Sequence, residues 1–94
     1  MNKPPEAIDG AKVLCWAWSG VTSFGVVASD DAMVVTEIFG LAICKYDGAA
    51  NVYRFSCGAD WTVEQDFEYE TILDAKHDLP LQYQNVPIAW IDFV

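Results

Sequence analysis

Carboxylates alternate with other residues along the run 64–70, which reads Glu-Gln-Asp-Phe-Glu-Tyr-Glu. In a β-strand, successive side chains point to opposite faces, and same-face neighbours stand about 6.6–7 Å apart. One face would then carry four carboxylates, called here the acidic row: Glu64, Asp66, Glu68 and Glu70. Such a row attracts basic protein surfaces. The pattern therefore indicates a basic partner, although a solvated sheet face produces the same alternation.

Three further residues, Asp60, Trp61 and Arg54, bear on the predicted role of the acidic row. Asp60 adds another carboxylate, and Trp61 is a residue type enriched in interface hot spots. Because like charges repel along a strand, a cation on the neighbouring strand would relieve the row. Arg54, in the preceding strand, is predicted to take that position. The predicted partner-binding residues are Asp60, Trp61 and the four members of the acidic row.

Few residues in the sequence are suited to metal binding or to catalysis. His77 is the sole histidine, and there is no Cys-x-x-Cys pair or calcium-binding loop, so no metal and no cofactor are predicted. The three cysteines lie in apolar segments, which raise the pKa of a thiol. Nucleophile-elbow and phosphate-loop motifs are absent as well. The sequence therefore predicts a protein that is not an enzyme.

The first 18 residues contain an arm and a strand. Residues 1–10 hold two prolines and a glycine without periodicity, which predicts an exposed arm. Residues 12–18 predict a strand with Leu14, Trp16 and Trp18 on one face. The other face of this strand is also apolar, so it is buried on both sides or lies at an interface. A homodimer is therefore possible.

The next segment is less regular. Residues 23–29 predict a short strand, and a hairpin through the intervening turn would pair it with residues 12–18. Residues 30–40 fit either a helix capped by Asp30 or a β-branched strand. The sequence leaves that choice open.

Residues 41–69 give the clearest pattern. Strands are predicted at 41–46, 52–57 and 61–69, with short turns between them. Consecutive strands with short connections are antiparallel. The segment therefore predicts a β-meander.

The chain then changes to a helix and a last strand. Thr71 is the predicted N-cap of a helix, and Pro80 limits the C-terminal end of this helix. Its apolar residues, predicted to face the sheet, are Ile72, Leu73, Ala75 and Leu79. Residues 88–94 predict a final strand. The predicted fold class is α+β: an antiparallel β-meander sheet with one helix packed on one face and a closing strand.

Composition limits the class of protein. The chain has 94 residues, which predicts a single domain over 1–94, and its formal net charge is −9. A field of that sign repels nucleic acid and anionic membranes, but it is also common in proteins that need only solubility. The N-terminus lacks a secretory signal and no apolar run is long enough to span a membrane. A cytoplasmic location is expected.

The segment 52–66, followed by Thr-Ile-Leu-Asp-Ala-Lys at 71–76 and by Trp90, resembles small immunity proteins of bacterial polymorphic-toxin systems. The resemblance covers the C-terminal half. It implies a cytoplasmic inhibitor that masks the active site of a toxin, often a basic nuclease, with an acidic surface. Two alternatives stay open: an acidic mimic of nucleic acid that blocks a DNA-binding defence protein, and a structural homo-oligomeric domain without catalytic function.

Overall fold

The computed structural model describes residues 2–28 and 34–94 of the chain. Nine elements follow one another within these residues. They are β1 (Ala7–Ile8), β2 (Ala11–Trp18), β3 (Gly25–Ala28), β4 (Val35–Ile38), β5 (Gly40–Lys45), β6 (Val52–Cys57), β7 (Val63–Tyr69), α1 (Ile72–His77) and β8 (Ile91–Asp92). The fold is antiparallel β-sheet with one short helix, in agreement with the predicted α+β class.

The strands form two sheets. The larger has the order β1-β2-β5-β6-β7, with β8 also paired to β2, and the smaller contains β3 and β4. The predicted meander is confirmed, because β5, β6 and β7 are consecutive antiparallel neighbours. The predicted hairpin between 12–18 and 23–29 is wrong, because β3 pairs with β4. Alternation fixes which faces of a strand are apolar, but it does not select the strand's partner.

Strand β2 lies inside the larger sheet and is covered on both faces, as its apolar sequence predicts. Its register with β5 shifts between Val13 and Cys15, so Leu14 is an extra residue in a β-bulge. Val13 and Trp16 consequently share one apolar cluster, while Cys15 lies in another, against which Leu14 packs. The prediction that Leu14 shares a face with Trp16 is therefore wrong.

Both ends of the chain differ from their predictions. Within the predicted exposed arm, β1 pairs with the start of β2, and Ile8 is only 5% exposed. Pro4 is buried as well. At the other end, the predicted strand over 88–94 is reduced to Ile91–Asp92, which pairs with Cys15 and Trp16. Burial of Ile8 in the main apolar cluster accounts for the ordered N-terminal segment.

Helix α1 begins as predicted. The Thr71 hydroxyl accepts a hydrogen bond from the Asp74 backbone N–H at 3.0 Å, so Thr71 is the N-cap. The predicted apolar face is wrong in part: Ile72 and Leu73 are 39% and 61% exposed, and only Ala75 is buried. A helix of six residues has fewer than two turns, so few of its positions can contact the sheet.

The ambiguous segment 30–40 contains strand β4, while residues 30–33 lie outside the described part of the chain. In the parts of the chain that the structure describes, no helix is long and apolar enough to cross a membrane.

Candidate protein-binding face

Strand β7 positions the predicted binding residues at the edge of the larger sheet. It pairs with β6 on one side and is the last strand in the sheet order. An edge strand leaves half of its backbone N–H and C=O groups free for solvent or for another chain. Charged side chains on such a strand also discourage unspecific edge-to-edge pairing. The acidic run therefore lies where a partner can reach it.

The register of β7 divides the acidic row. Asp66 lies opposite Phe55 and Glu68 opposite Tyr53, so these two carboxylates share one face with the aromatic side chains of β6. Both are exposed. Glu70 lies beyond the end of the strand. The predicted row of four is therefore reduced to the pair Asp66 and Glu68, and Glu64 and Glu70 lie outside this pair.

Glu64 is displaced by a second register shift, between Ser56 and Cys57, which makes it the extra residue of the pairing. The shift places it beside Asp60: both carboxylates approach the same side of Gly58, and both raise the pKa of the Cys57 thiol. Asp60 is itself held by the Thr62 backbone N–H at 3.1 Å, and the hydrogen bonds from Thr62 lower its pKa. The structure thus brings together two predicted site residues that the sequence did not pair.

Trp61 is half-buried and has a left-handed backbone, with φ of 64°. Such a conformation is an outlier for a bulky residue. Its ring packs against Trp18 at 5.6 Å between ring centroids, and it fills the space left by Gly40, where a Cβ atom would lie 2.6 Å from the ring. Its indole N–H donates to the Asn2 carbonyl at 3.0 Å. Most of the Trp61 ring is therefore used in packing within the protein, and only part of it is accessible to a partner.

Arg54 is not the counter-charge of the acidic row. It lies opposite Phe67, on the other face from Asp66 and Glu68, and is 1% exposed. Its guanidinium donates to the Tyr69 hydroxyl at 2.8 Å and to the backbone carbonyls of Ala75 and Asp78. The prediction was wrong because both faces of β6 are covered, so a charged residue on this strand need not face solvent.

Within residues 2–28 and 34–94, the carboxylates at the edge of the sheet are consequently not neutralised. Glu68 accepts a neutral hydrogen bond from the Asn51 side-chain amide at 2.9 Å. Across residues 2–28 and 34–94, no Lys or Arg lies within 4.0 Å of a carboxylate of the acidic row. The like charges of Asp66 and Glu68 therefore stand uncompensated on one face, which costs free energy unless a cation approaches from outside.

The field of these carboxylates acts on the neighbouring phenol. Glu68 is the main cause that raises the pKa of Tyr53, followed by burial, Tyr46 and Asp66. A negative charge disfavours the tyrosinate, so its removal lowers the pKa. We expect Glu68→Gln to lower the pKa of Tyr53 more than Asp66→Asn does, in an NMR titration of the tyrosine ring carbons. Equal values in both variants and the wild type would contradict the placement of Glu68 opposite Tyr53.

The described residues give little support for a metal site or for a cysteine nucleophile. Among them, no group of three or more His, Cys, Asp or Glu side chains could hold a metal ion. All three cysteines are free and buried, and burial raises the pKa of Cys44 and of Cys57 to about 12. Thiols with such pKa values are poor nucleophiles near neutral pH. Of the acidic residues relevant to nucleic-acid mimicry, Asp30 and Asp31 lie outside the described residues.

No protein-family model, curated protein or solved structure matches this chain. The candidate face therefore stands on its own geometry and charge.

Proposed function

We propose that this protein is an immunity-type inhibitor that binds a basic toxin of the nuclease type and masks its surface. The binding face comprises Asp66 and Glu68 at its centre, the Asp60–Glu64 pair and Trp61 at one end, and Glu70 at the other. The protein itself is not an enzyme and uses no cofactor. It acts in the cytoplasm and contacts neither nucleic acid nor membrane.

One observation carries the proposal: the carboxylates at the exposed edge have no cationic partner within the described chain. A basic surface would supply that partner and remove the repulsion between them. Complementary charge also accelerates encounter, which suits an inhibitor that must reach its target quickly. Trp61, beside the Asp60–Glu64 pair, adds the aromatic contact area that interface hot spots use.

The remaining features of the fold fit a binding protein. Ala75 of the helix is buried in one apolar cluster with residues of β2, β5 and β6, and Tyr69 of the edge strand packs against the same cluster. Tyr69, at the end of β7, donates from its hydroxyl to the Asp78 carboxylate at 2.9 Å. The edge strand is thereby fixed before a partner arrives, which reduces the entropy lost on binding. A homodimer is compatible with this arrangement, provided that β7 stays accessible.

The proposal is tested by affinity capture from a lysate of the source cell, with the immobilised wild type and two variants. Asp66→Lys/Glu68→Lys reverses the central pair. Asp47→Lys/Asp92→Lys makes the same change in net charge at two exposed residues that are not part of β7. We expect a basic protein to be retained by the wild type and the control variant, and lost with the central reversal. A partner retained equally by all three, or an acidic partner, would refute the proposal.

A further inference from the structure

A groove of about 920 Å³ lies away from the acidic edge, where β1, the start of β2, the end of β5 and the C-terminal residues meet. Its walls include the half-buried side chains of Leu14 and Phe93 and the partly exposed ring of Tyr46. Two lysines, Lys12 and Lys45, line the same groove. It therefore combines apolar surface with two lysines, and the carboxylates of Glu6 and Asp47 line it as well.

The two lysines are direct neighbours. Lys12 and Lys45 are Cα partners in the pairing of β2 with β5. Residues in this relation have Cβ atoms about 4.5–5.5 Å apart, and like charges there destabilise the sheet. Neither ammonium group forms an ion pair with a carboxylate anywhere in residues 2–28 and 34–94, although Glu6 and Asp47 also line the groove. An anion held between the two lysines would remove this repulsion.

The adjoining surface indicates what else the ligand carries. Leu14 is the extra residue of the β2 bulge, and it lies with Phe93 along the groove. The Phe93 backbone N–H donates to the Leu14 carbonyl at 3.0 Å, which fixes the two residues together. Lys3 lies over the Phe93 ring, 4.4 Å from its centroid. This apolar wall next to the lysine pair suits a ligand with a hydrocarbon body as well as an anionic head.

We propose that this groove binds a small amphiphilic carboxylate. Its head group accepts hydrogen bonds from the ammonium groups of Lys12 and Lys45, and its hydrocarbon body covers Leu14 and Phe93. Lysine suits this role because its ammonium group is a compact charge on a flexible stem with three donors. The site is independent of the acidic row and does not require the proposed inhibitor function.

The test is an NMR titration of the full chain, which follows the backbone amides of Gly10 and Gly48 in the groove. Three probes separate the contributions: octanoate has both charge and body, octanol has only the body, and inorganic phosphate has only charge. We expect octanoate to shift both amides saturably, with an affinity about tenfold or more above that of either other probe. Equal affinities for octanoate and octanol, or for octanoate and phosphate, would overturn the proposal.

Single variants locate the charge. Lys12→Gln and Lys45→Gln each remove one exposed ammonium group, so the fold is retained and the amide spectrum checks it. Each is expected to weaken octanoate binding by about three- to tenfold. Lys76→Gln on α1, outside the groove, is the matched control and leaves the affinity unchanged. If the control weakens binding as much as the groove variants do, net charge rather than the lysine pair is responsible and the proposal is wrong.

Discussion

Replacement of Arg54 by alanine is expected to lower the free energy of unfolding by about 3 kcal/mol or more, because a buried charge-assisted network is lost. The guanidinium binds the carbonyls of Ala75 and Asp78 at the C-terminal end of α1, where backbone acceptors lack partners within the helix. Its positive charge is also favourable there, since the helix dipole is negative at that end. Chemical denaturation of the variant and the wild type measures the difference.

Two controls distinguish the network from a general loss of charge. Arg54→Lys keeps the charge but loses the planar fork of donors, so an intermediate loss of stability is expected. Lys76→Ala removes a cation from the same helix. Because Lys76 makes no hydrogen bond to these carbonyls, this change is expected to alter the free energy of unfolding by less than about 0.5 kcal/mol. Equal, small effects of Arg54→Ala and Lys76→Ala would contradict the described network.

A methyl group at Gly25 is expected to be the second most damaging change. An ideal Cβ there would lie 2.9 Å from the Gln82 carbonyl carbon, with the carbonyl oxygen closer still, and 3.1 Å from the Tyr83 ring. The obstacle is backbone, so relief requires the segment that follows α1 to move off β3. Tyr83 is buried and donates to the Ser56 hydroxyl at 2.9 Å, and this contact would be disturbed. We expect Gly25→Ala to cost about 1–3 kcal/mol.

Gly58→Ala is the matched control for this change. A Cβ at Gly58 would meet its nearest neighbour, an Asp60 carboxylate oxygen, at 3.6 Å, which is ordinary van der Waals contact. We expect its midpoint in a denaturation experiment to lie close to that of the wild type. A midpoint for Gly25→Ala that is as close to the wild type as that of Gly58→Ala would contradict the close approach of residue 82 to β3.

The sequence was most informative where local signals agree. Strand β6 has the predicted bounds 52–57, and its neighbours in the meander follow from short turns that force antiparallel pairing. The helix start at Thr71 follows from a hydrogen bond between residues three apart in the sequence. These features depend only on neighbouring residues, so no knowledge of the distant chain is needed to predict them.

Features that depend on the distant chain were missed. The two register shifts, at Leu14 and at Glu64, arise from pairing between strands, and each moves a side chain that alternation assigns to a fixed face. The burial of Arg54 depends on α1 and the carbonyls at its end. The sequence signal for this burial was the position of Arg54 between Tyr53 and Phe55. A charged residue in an apolar strand can donate hydrogen bonds to buried acceptors.

The candidate face differs from the predicted one in its arrangement of carboxylates and in its lack of a counter-charge from Arg54. The acidic row predicted from alternation becomes the pair Asp66 and Glu68 on β7, with Glu64 beside Asp60. The loss of Arg54 as a counter-charge leaves the edge more negative than the sequence suggested. Electrostatic attraction to a basic partner is therefore expected to be stronger, and its dependence on salt steeper.

The most direct measurement is the association rate constant with the captured basic partner, determined at several ionic strengths between about 0.02 and 0.5 M, where the screening length changes severalfold. For the wild type we predict a rate that falls steeply with added salt. For Asp66→Lys/Glu68→Lys we predict slower association and a flatter salt dependence, with the wild-type steepness retained in Asp47→Lys/Asp92→Lys. Identical rates and salt dependences in the wild type and the central reversal would show that Asp66 and Glu68 form only a solvated surface.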